Sequence, residues 1–381
     1  MACPAPIVAA MPTPRLLNPS EKLDWLRLIR TDNVGPVSFY QLLARFGSAA
    51  AALEALPEMA RRGGRERPLA PFPRAAAERE MAALDRAGAR LVAWGEPDYP
   101  PPLAAIDTAP PLLSLRGEAA LLQRPAIAIV GARNASANGR RFARDMALQL
   151  GQRGLVVVSG FARGIDAAAH QGALPTGTVA ALAGGIDIVY PEENRDLYEA
   201  IAERGVLLAE MPVGTQPKSR HFPRRNRIIS GCSLGVLVVE AALRSGSLIT
   251  ARFALEQGRE VFAVPGSPLD PRCRGSNDLI RRGATLVETA EDVVAQIAGQ
   301  LTLAPAGRSP APRQVPVDMP TETESAAARR QILENLSPAP LPVDELVRQC
   351  QLSPPVVLAV LLELELAGRL ERQPGNLVAL L

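Results

Sequence analysis

The chain has 381 residues, 47 % of them hydrophobic, so it is long enough for more than one domain and for a sizeable core. Its formal net charge is only +3, which excludes a polybasic coat, and any surface that binds nucleic acid must therefore be local. Lys22 and Lys218 are the only lysines, so arginine supplies 40 of the 42 basic residues. Arginine binds phosphate bidentately and stacks on bases, although a GC-rich genome also explains the bias.

The cysteines and the apolar segments indicate the cellular compartment of the protein. Cys3, Cys232, Cys273 and Cys350 are far apart and form no CxxC pair, which argues against a zinc site or a redox motif. The N-terminus lacks the basic segment of a signal peptide, and no apolar run approaches the roughly 20 residues that a membrane helix needs. We therefore expect a cytoplasmic protein with no membrane contact, no metal and no cofactor.

The beginning of the chain predicts a disordered N-terminus, residues 1–19, and a small helical domain, residues 20–75. Pro36 lies where a second helix should start, and its missing N–H costs little there. A helix-hairpin-helix that contacts DNA backbone is the alternative, but Gly35 alone is a weak signal for it, so a packing domain is favoured. Residues 61–74, rich in Arg, Gly and Pro, indicate a linker.

Residues 76–300 predict a doubly wound, Rossmann-like α/β domain with a mostly parallel sheet. Two apolar segments between Ala89 and Leu115 predict one or two extra strands ahead of it. Strands and helices then alternate, which indicates right-handed crossovers. The predicted strands are 126–130, 155–159, 178–183, 206–209, 234–239 and 260–264; the predicted helices are 139–150, 165–173, one after Pro191, 223–230 and 247–257, the last with Ser247 as N-cap.

The end of the chain predicts a proline-rich linker, residues 301–324, and a winged-helix domain, residues 325–381. Between Glu322 and Leu381, five arginines face eight carboxylates. The presumed recognition helix carries only Glu363 and Glu365, whereas a helix that enters a phosphate-lined groove should carry cations, so protein contact is favoured over DNA. The three predicted helices are 325–336, 343–350 and 354–367, followed by two strands that turn at 374–376.

Two predicted strands end in glycine turns that each carry an arginine, GARNAS and SGFARGID. Ligands of an open parallel sheet lie at the carboxyl ends of its strands, where helix N-termini and bare amides favour anions. Two arginines placed together repel unless an anion lies between them. Tight turns alone would explain the glycines, and Asp166 is expected to cap a helix or to hold an arginine. The candidate anion-binding residues are Gly131, Arg133, Ser136, Ser159, Gly160, Arg163 and Gly164.

A third segment, Lys218 to Arg227, combines five cations with the aromatic ring of Phe222 and has no acidic residue. This composition is typical of a single-strand site, because the charges follow the phosphates while the ring accepts a base. A solvated basic loop is the alternative, and Asn226 is expected to bond backbone at the helix start, with Arg227 half-buried. The candidate nucleic-acid-binding residues here are Lys218, Arg220, Phe222, Arg224, Arg225, Asn226 and Arg227.

Motifs for catalysis are missing. No GxxxxGK[ST] loop occurs, and no GxGxxG follows the first strand of the main fold. His170 and His221 are isolated, and no nucleophile with a base, paired carboxylates or metal cluster can be assembled from these motifs. The sequence therefore favours a binding protein over an enzyme.

The blocks GARNASANG, SGFARGIDAAAH, FPRRNRIISG, SGSLITARFALEQGREVFAVPGS and GSNDLIRRGA resemble, in this order, the signature blocks of the DNA-processing protein A (DprA, also called Smf) family. The resemblance covers Leu91 to Val287 strongly. It implies a homodimer that binds single-stranded DNA and loads RecA onto it during natural transformation, without a catalytic step, and an N-terminal domain like a sterile alpha motif. The alternative is an enzyme similar to nucleoside-monophosphate phosphoribohydrolases, but their PGGxGTxxE turn has no counterpart.

Overall fold

The computed structural model describes residues 15–302, 322–373 and 375–381. The chain divides into two compact units, Arg79–Gly307 and the paired ends Met1–Glu78 with Arg308–Leu381. Most of the predicted disordered N-terminus and of the proline-rich linker lies outside the described residues.

Helices and strands occur where the sequence predicts them, with a few additions. The helices are α1 (Pro19–Arg30), α2 (Pro36–Phe46), α3 (Ala49–Arg62), α4 (Arg74–Arg86), α5 (Pro101–Ala104), α6 (Ala137–Gln152), α7 (Ile165–Ala173), α8 (Arg195–Arg204), α9 (His221–Gly231), α10 (Gly246–Glu256), α11 (Arg274–Arg281), α12 (Ala290–Thr302), α13 (Glu322–Asn335), α14 (Val343–Cys350) and α15 (Pro354–Leu366). The strands are β1 (Arg90–Ala93), β2 (Leu112–Gly117), β3 (Ala126–Val130), β4 (Val156–Gly160), β5 (Thr178–Leu182), β6 (Val206–Ala209), β7 (Gly235–Val238), β8 (Glu260–Ala263), β9 (Thr285–Leu286), β10 (Leu341–Pro342), β11 (Leu370–Gln373) and β12 (Leu377–Leu380).

The α/β unit is built on a nine-stranded sheet in the order β1-β2-β6-β5-β4-β3-β7-β8-β9. β1 and β2 pair antiparallel at one edge, and the strands from β6 to β9 are parallel. The chain moves outward from β3 to β6 and then returns to β7 on the other side of β3. This doubly wound order confirms the predicted fold class. It places the reversal of strand order between β3 and β7, so the carboxyl end of β3 is a natural place for a ligand.

Both faces of the sheet are buried. Ile127 and Ile129 pack with α6, α7 and α12 on one face, whereas Ala128 and Val130 pack with α9 and α10 on the other. Successive side chains of a strand point to opposite faces, so a strand covered on both sides must be apolar at every position. This requirement explains the unbroken apolar run AIAIV.

Several details differ from the prediction, and α4, α5 and β10 are elements that were not predicted. The N-cap of α10 is Ser245, whose side chain accepts a hydrogen bond from the Ser247 backbone N–H, so the assignment of Ser247 as N-cap was wrong by two residues. Beyond Ala263, the sheet gains β9 and the chain continues into α11 and α12, and none of the three was predicted. β9 has only two residues, which is too short for a periodic pattern.

The unit of paired ends contains the three N-terminal helices and the winged helix. Val357, Val360, Leu361 and Leu364 of α15 lie in the winged-helix core. The opposite side of α15 meets the N-terminal helices: a Cβ added at Gly63 would lie 1.9 Å from the Glu363 carbonyl oxygen. The Asn33 amide also donates to the Leu366 carbonyl over 3.2 Å. Both sides of the presumed recognition helix are therefore occupied within this unit.

Within the described residues, no single helix is long and apolar enough to cross a membrane. The bent pair α14 and α15 passes that test of length and composition when taken together, at an angle of 117°.

Gly172 of α7 allows α6 and α7 to pack closely against each other. A Cβ at this position would lie 2.1 Å from the Arg144 carbonyl oxygen on α6. Because the helices must then move apart, Gly172→Ala should lower the free energy of unfolding by about 1 to 3 kcal/mol. Denaturant unfolding measures this.

Gly299→Ala is the matched control, since nothing lies within 4 Å of its added Cβ in α12. It should raise stability by about 0.5 to 1 kcal/mol, as alanine is the better helix former. Equal effects of the two substitutions would contradict the close α6–α7 contact.

Candidate functional site

The turns after β3 and β4 touch through their backbones. A Cβ at Gly164, which has φ +82°, would lie 2.3 Å from the Ala132 carbonyl oxygen. The Ile165 N–H donates to that same oxygen over 3.2 Å. At Gly131, an added Cβ would fall 2.6 Å from Ile165 Cγ1. These glycines therefore hold the two turns together, and with them Arg133 and Arg163.

The N-terminus of α6 is already occupied by a carboxylate of the chain itself. Glu240 is buried and accepts hydrogen bonds from the Ser136 backbone N–H over 2.9 Å and from the Ser136 hydroxyl over 2.6 Å. The Ser136 Oγ also accepts from the Gly139 N–H. An anion is expected at a helix N-terminus, but here the protein supplies it. Ser136 thus serves as N-cap and partner of Glu240, and a nucleic-acid role for it stays a prediction.

Ser159 and Gly160, at the end of β4, lie beneath the surface. Ser159 is fully buried and donates to the Ile129 carbonyl over 2.6 Å. A Cβ at Gly160 would be 2.5 Å from the Asp166 carboxylate and 2.8 Å from the Arg225 guanidinium. The glycine thus leaves room for this pair of charged side chains, and both residues shape the site from inside.

Asp166 is a buried carboxylate that faces Arg225. Burial raises the pKa of Asp166 to about 6, although the charges of Arg225 and Arg133 and the Ala162 N–H act in the opposite direction. Burial likewise lowers the pKa of Arg225 to about 10. The Ala162 N–H bond to Asp166 orders the turn that carries Arg163.

His170 is fully buried and fixes the same turn from the inside of the fold. Its Nε2 lies 2.7 Å from the Gly160 carbonyl and its Nδ1 lies 2.7 Å from the Thr178 hydroxyl. A carbonyl only accepts, so Nε2 carries the proton and donates. Complete burial lowers the pKa of His170 to about 4, which keeps the ring neutral.

The basic segment divides into inward and outward side chains. Arg224 and Arg227 both bind the buried Glu210, at 3.0 Å and 2.6 Å. Arg227 is 6 % exposed and also donates to the Thr108 carbonyl, so it is more deeply buried than predicted. Arg225 is buried and donates to the Ala181 carbonyl.

Asn226 is buried as well, and its amide donates to the Gly246 carbonyl at the start of α10 over 3.2 Å. Four of the seven residues predicted in this segment therefore have internal partners, and Arg225, Asn226 and Arg227 have little surface. The internal hydrogen bonds and ion pairs of these four side chains explain their positions without DNA, so their contact with DNA stays a prediction.

Arg133, which is exposed, and Phe222, which is half-buried, form the outer part of the site. The Arg133 guanidinium lies 4.7 Å from the centre of the Phe222 ring, which is a cation–π contact. The Tyr190 ring, 48 % exposed, is tilted against Phe222 at 6.0 Å. All three line a cavity of ≈ 200 Å³ that also reaches Arg163 and Gly184.

Arg163, Lys218 and Arg220 are exposed, and within the described ranges none of them has an ion-pair partner. Cations without carboxylate partners beside an aromatic pair can accept phosphates and an unstacked base. We call this outer set the strand-end surface; it comprises the exposed Arg133, Arg163, Tyr190, Lys218 and Arg220 and the half-buried Phe222.

Sequence reasoning missed Tyr190, Glu210 and Glu240. Tyr190 lies seven residues beyond the end of the predicted strand 178–183, and no motif surrounds it. The two glutamates are far in sequence from the residues that they bind. No group of three His, Cys, Asp or Glu side chains that could hold a metal occurs among the described residues.

Known proteins with similar sequences belong to one group. Family profiles described as DNA recombination-mediator protein A, DprA-like N-terminal HHH domain and DprA winged helix domain match residues 90–298, 19–83 and 316–376. The N-terminal profile thus names the helix-hairpin-helix type that the sequence analysis had ranked below a packing domain. Protein Smf of Escherichia coli (strain K12) is 39 % identical over 81 % of this chain and 82 % of its own.

Solved structures give the same result. The X-ray structure of DNA processing protein A from Streptococcus pneumoniae covers 74 % of this chain and 99 % of its own, with a TM-score of 0.62 and 35 % identity. DNA processing protein A from Helicobacter pylori, described for its single-stranded DNA binding mode, covers 53 % of this chain and 93 % of its own, with a TM-score of 0.50 and 28 % identity.

The buried Asp166 predicts a pH dependence of stability. Its folded pKa of about 6 exceeds the ordinary 3.8, so its contribution is fully present below about pH 4 and is lost as the pH rises to about 6. The stability of the natural chain minus that of Asp166→Asn should therefore fall over this range by up to about 3 kcal/mol, at roughly 1.4 kcal/mol per pKa unit.

The subtraction matters because His170 acts in the opposite sense. Its contribution is present above its ordinary pKa of 6.5 and is lost as the pH falls toward 4, and it cancels between the two proteins. Urea unfolding at a series of pH values measures the difference. A difference that does not change with pH would mean that the Asp166 carboxyl titrates as it does in water.

Proposed function

Because the chain belongs to the DNA recombination-mediator protein A family, also called DNA processing protein A, we propose that it binds single-stranded DNA at the strand-end surface. The observation that carries this proposal is the Arg133 guanidinium over the Phe222 ring, beside the exposed Tyr190. The described binding of single-stranded DNA by the Helicobacter pylori relative supports it.

The chemistry of the surface favours a single strand over a duplex. Aromatic side chains take up bases whose faces are free, and duplex bases are already stacked and paired. The cations Arg133, Arg163, Lys218 and Arg220 follow a backbone without reading sequence. We therefore expect binding with little sequence specificity.

The family supports two further parts of the proposal. The chain would act as a homodimer in the cytoplasm, and it would load RecA onto the bound strand during DNA uptake and recombination. The winged helix would not place α15 in a DNA groove, because both sides of this helix are occupied within its own unit and it carries acidic rather than basic side chains, so protein contact stays the favoured role of this domain.

We propose no catalytic step. Asp166 is the residue that most resembles an acid or base, since the pKa of this buried carboxyl is raised to about 6. It faces Arg225 beneath Gly160, and its hydrogen-bond partners are the Ala162 N–H and the Ser159 hydroxyl. Ser159 is fully buried, so the described residues around Asp166 place no exposed nucleophile beside it. A nucleotide-hydrolysing enzyme is the alternative function.

Arg133→Ala tests the proposed surface. It should weaken binding of an oligothymidylate by about 5- to 30-fold, the equivalent of 1 to 2 kcal/mol, because a charge-assisted phosphate contact is lost. The log–log dependence on salt should become shallower by about 0.7 per lost phosphate contact. Fluorescence anisotropy over a salt series measures both quantities.

Arg153→Ala is the control, since Arg153 follows the last residue of α6, at the opposite edge of the sheet, and pairs with Glu291 at 2.7 Å. Its affinity and salt dependence should match those of the natural chain. An Arg133→Ala variant that binds equally well would remove Arg133 from the site, and one that unfolds would make it structural.

Phe222→Ala should weaken binding by about 1 to 3 kcal/mol per stacked base while the salt dependence stays the same, because a ring releases no counterions. Phe222→Trp should restore the affinity, since it keeps an aromatic face. The same anisotropy titration checks both variants, with thermal unfolding to show that they fold. A changed salt dependence in the alanine variant would contradict the stacking role.

Turnover should be absent. Incubation with nucleoside monophosphates, with ATP and with single-stranded DNA should leave all three intact by chromatography. Release of a free base from a nucleotide, abolished in Asp166→Asn, would instead establish the alternative enzymatic function.

A further inference from the structure

A second cavity, of ≈ 270 Å³, adjoins the strand-end surface. It lies against α6 and α7 and is bounded by residues 193–194. Arg140, Arg141 and Arg144 of α6 line it, together with Arg163. We call this cavity the α6 groove. The three arginines of the helix lie outside the residues that the sequence predicts to bind nucleic acid.

The groove is strongly basic. All four arginines are exposed, and within the described part of the chain none of them forms an ion pair. Arg140 donates to the Ala135 carbonyl, a neutral acceptor that does not offset the positive charge of the guanidinium. Glu193 is the carboxylate in the lining, so one negative charge faces four positive ones. Like charges gathered in a concave surface focus a field that attracts anions.

The packing of the two helices creates this shape. Because Gly172 has no side chain, α7 lies directly against the Arg144 backbone, where a Cβ would be 2.1 Å from its carbonyl oxygen. Ala137, Ala167 and Ala168 add small side chains to the lining. The arginines therefore stand around a shallow floor. An apolar floor strengthens their attraction for an anion.

The two cavities meet at Arg163, which lines both. An anionic chain that passes Arg133 and crosses Arg163 would enter the α6 groove directly. The lining of the groove contains no aromatic side chain, so it offers contacts to a backbone rather than to bases.

We propose that the α6 groove binds the phosphates of the same DNA strand beyond the segment held at the strand-end surface. The inference rests on the proposed function and adds a path and a length requirement to it. Arg140 and Arg144 are one helical turn apart, about 6 Å along the axis, so they can contact different phosphates.

The test is anisotropy titration of the full chain with oligothymidylates of increasing length. The variants replace Arg140, Arg141 and Arg144 together by Ala or, to keep longer side chains, together by Gln. Both should bind the shortest oligomers as the natural chain does. With long oligomers, both should lose affinity, and their log–log salt dependence should be shallower by about 2, from three phosphates at about 0.7 each.

The matched control removes the same charge elsewhere. Arg153, Arg281 and Arg282 lie outside both cavities, and each pairs with a carboxylate. Replacing these three by Ala should leave the gain of affinity with length unchanged.

The outcomes separate the two proposals. If the natural chain binds no oligomer, the proposed function fails. If short oligomers bind and either α6 variant keeps the full gain with length, the groove proposal fails while the proposed function stands. An equal loss in the control would show a general charge effect and would also overturn the groove.

Discussion

Three buried carboxylates at one sheet edge determine the local architecture. Asp166, Glu210 and Glu240 are each less than 10 % exposed and lie at or beyond the ends of the parallel strands. A buried charge is costly unless it is compensated by hydrogen bonds or opposite charge. Ser136 binds Glu240, two arginines bind Glu210, and Arg225 faces Asp166.

This compensation sorts the arginines. Those that satisfy a buried carboxylate fix the turns and α9, and those left outside, such as Arg133 and Arg163, face solvent with their charge unpaired among the described residues. The inner set positions the outer set. The proposed DNA-binding surface is thus the outer layer of a network whose inner layer stabilises the fold.

Much of the fold could be predicted from the sequence. The strands 126–130 and 206–209 and the helix 165–173 were predicted with their observed bounds. The strands could be recognised because a sheet covered on both faces requires unbroken apolar runs. The two-residue β9 was missed, since so short a segment shows no periodicity.

The site could be predicted only in part. The glycine turns with their arginines correctly predicted that the candidate site lies at the carboxyl ends of the strands. The division into inner and outer arginines, however, depends on Glu210 and Glu240. Glu240 lies 104 positions from Ser136 in sequence, and no local pattern reports such a pair. In sequence, the arginines of α6 are an ordinary polar face of a helix, and only the packing of α7 beside them makes a groove.

The winged helix illustrates the same limit. Charge alone favoured protein contact, and within the unit of paired ends α15 does contact the N-terminal helices, through Gly63 and Asn33. Glu363 is buried and ion-paired with Arg329. Its acidic side chains therefore belong to the packing of that unit, which the sequence could not specify.

The central claim is that the strand-end surface accepts a single strand and not a duplex. Its most direct test is competition on the full chain between one oligonucleotide and the duplex of the same sequence, at several salt concentrations. We predict that the single strand binds more tightly at every concentration and that the aromatic contribution persists at high salt. Equal binding of the duplex, with all affinity lost at high salt, would contradict it.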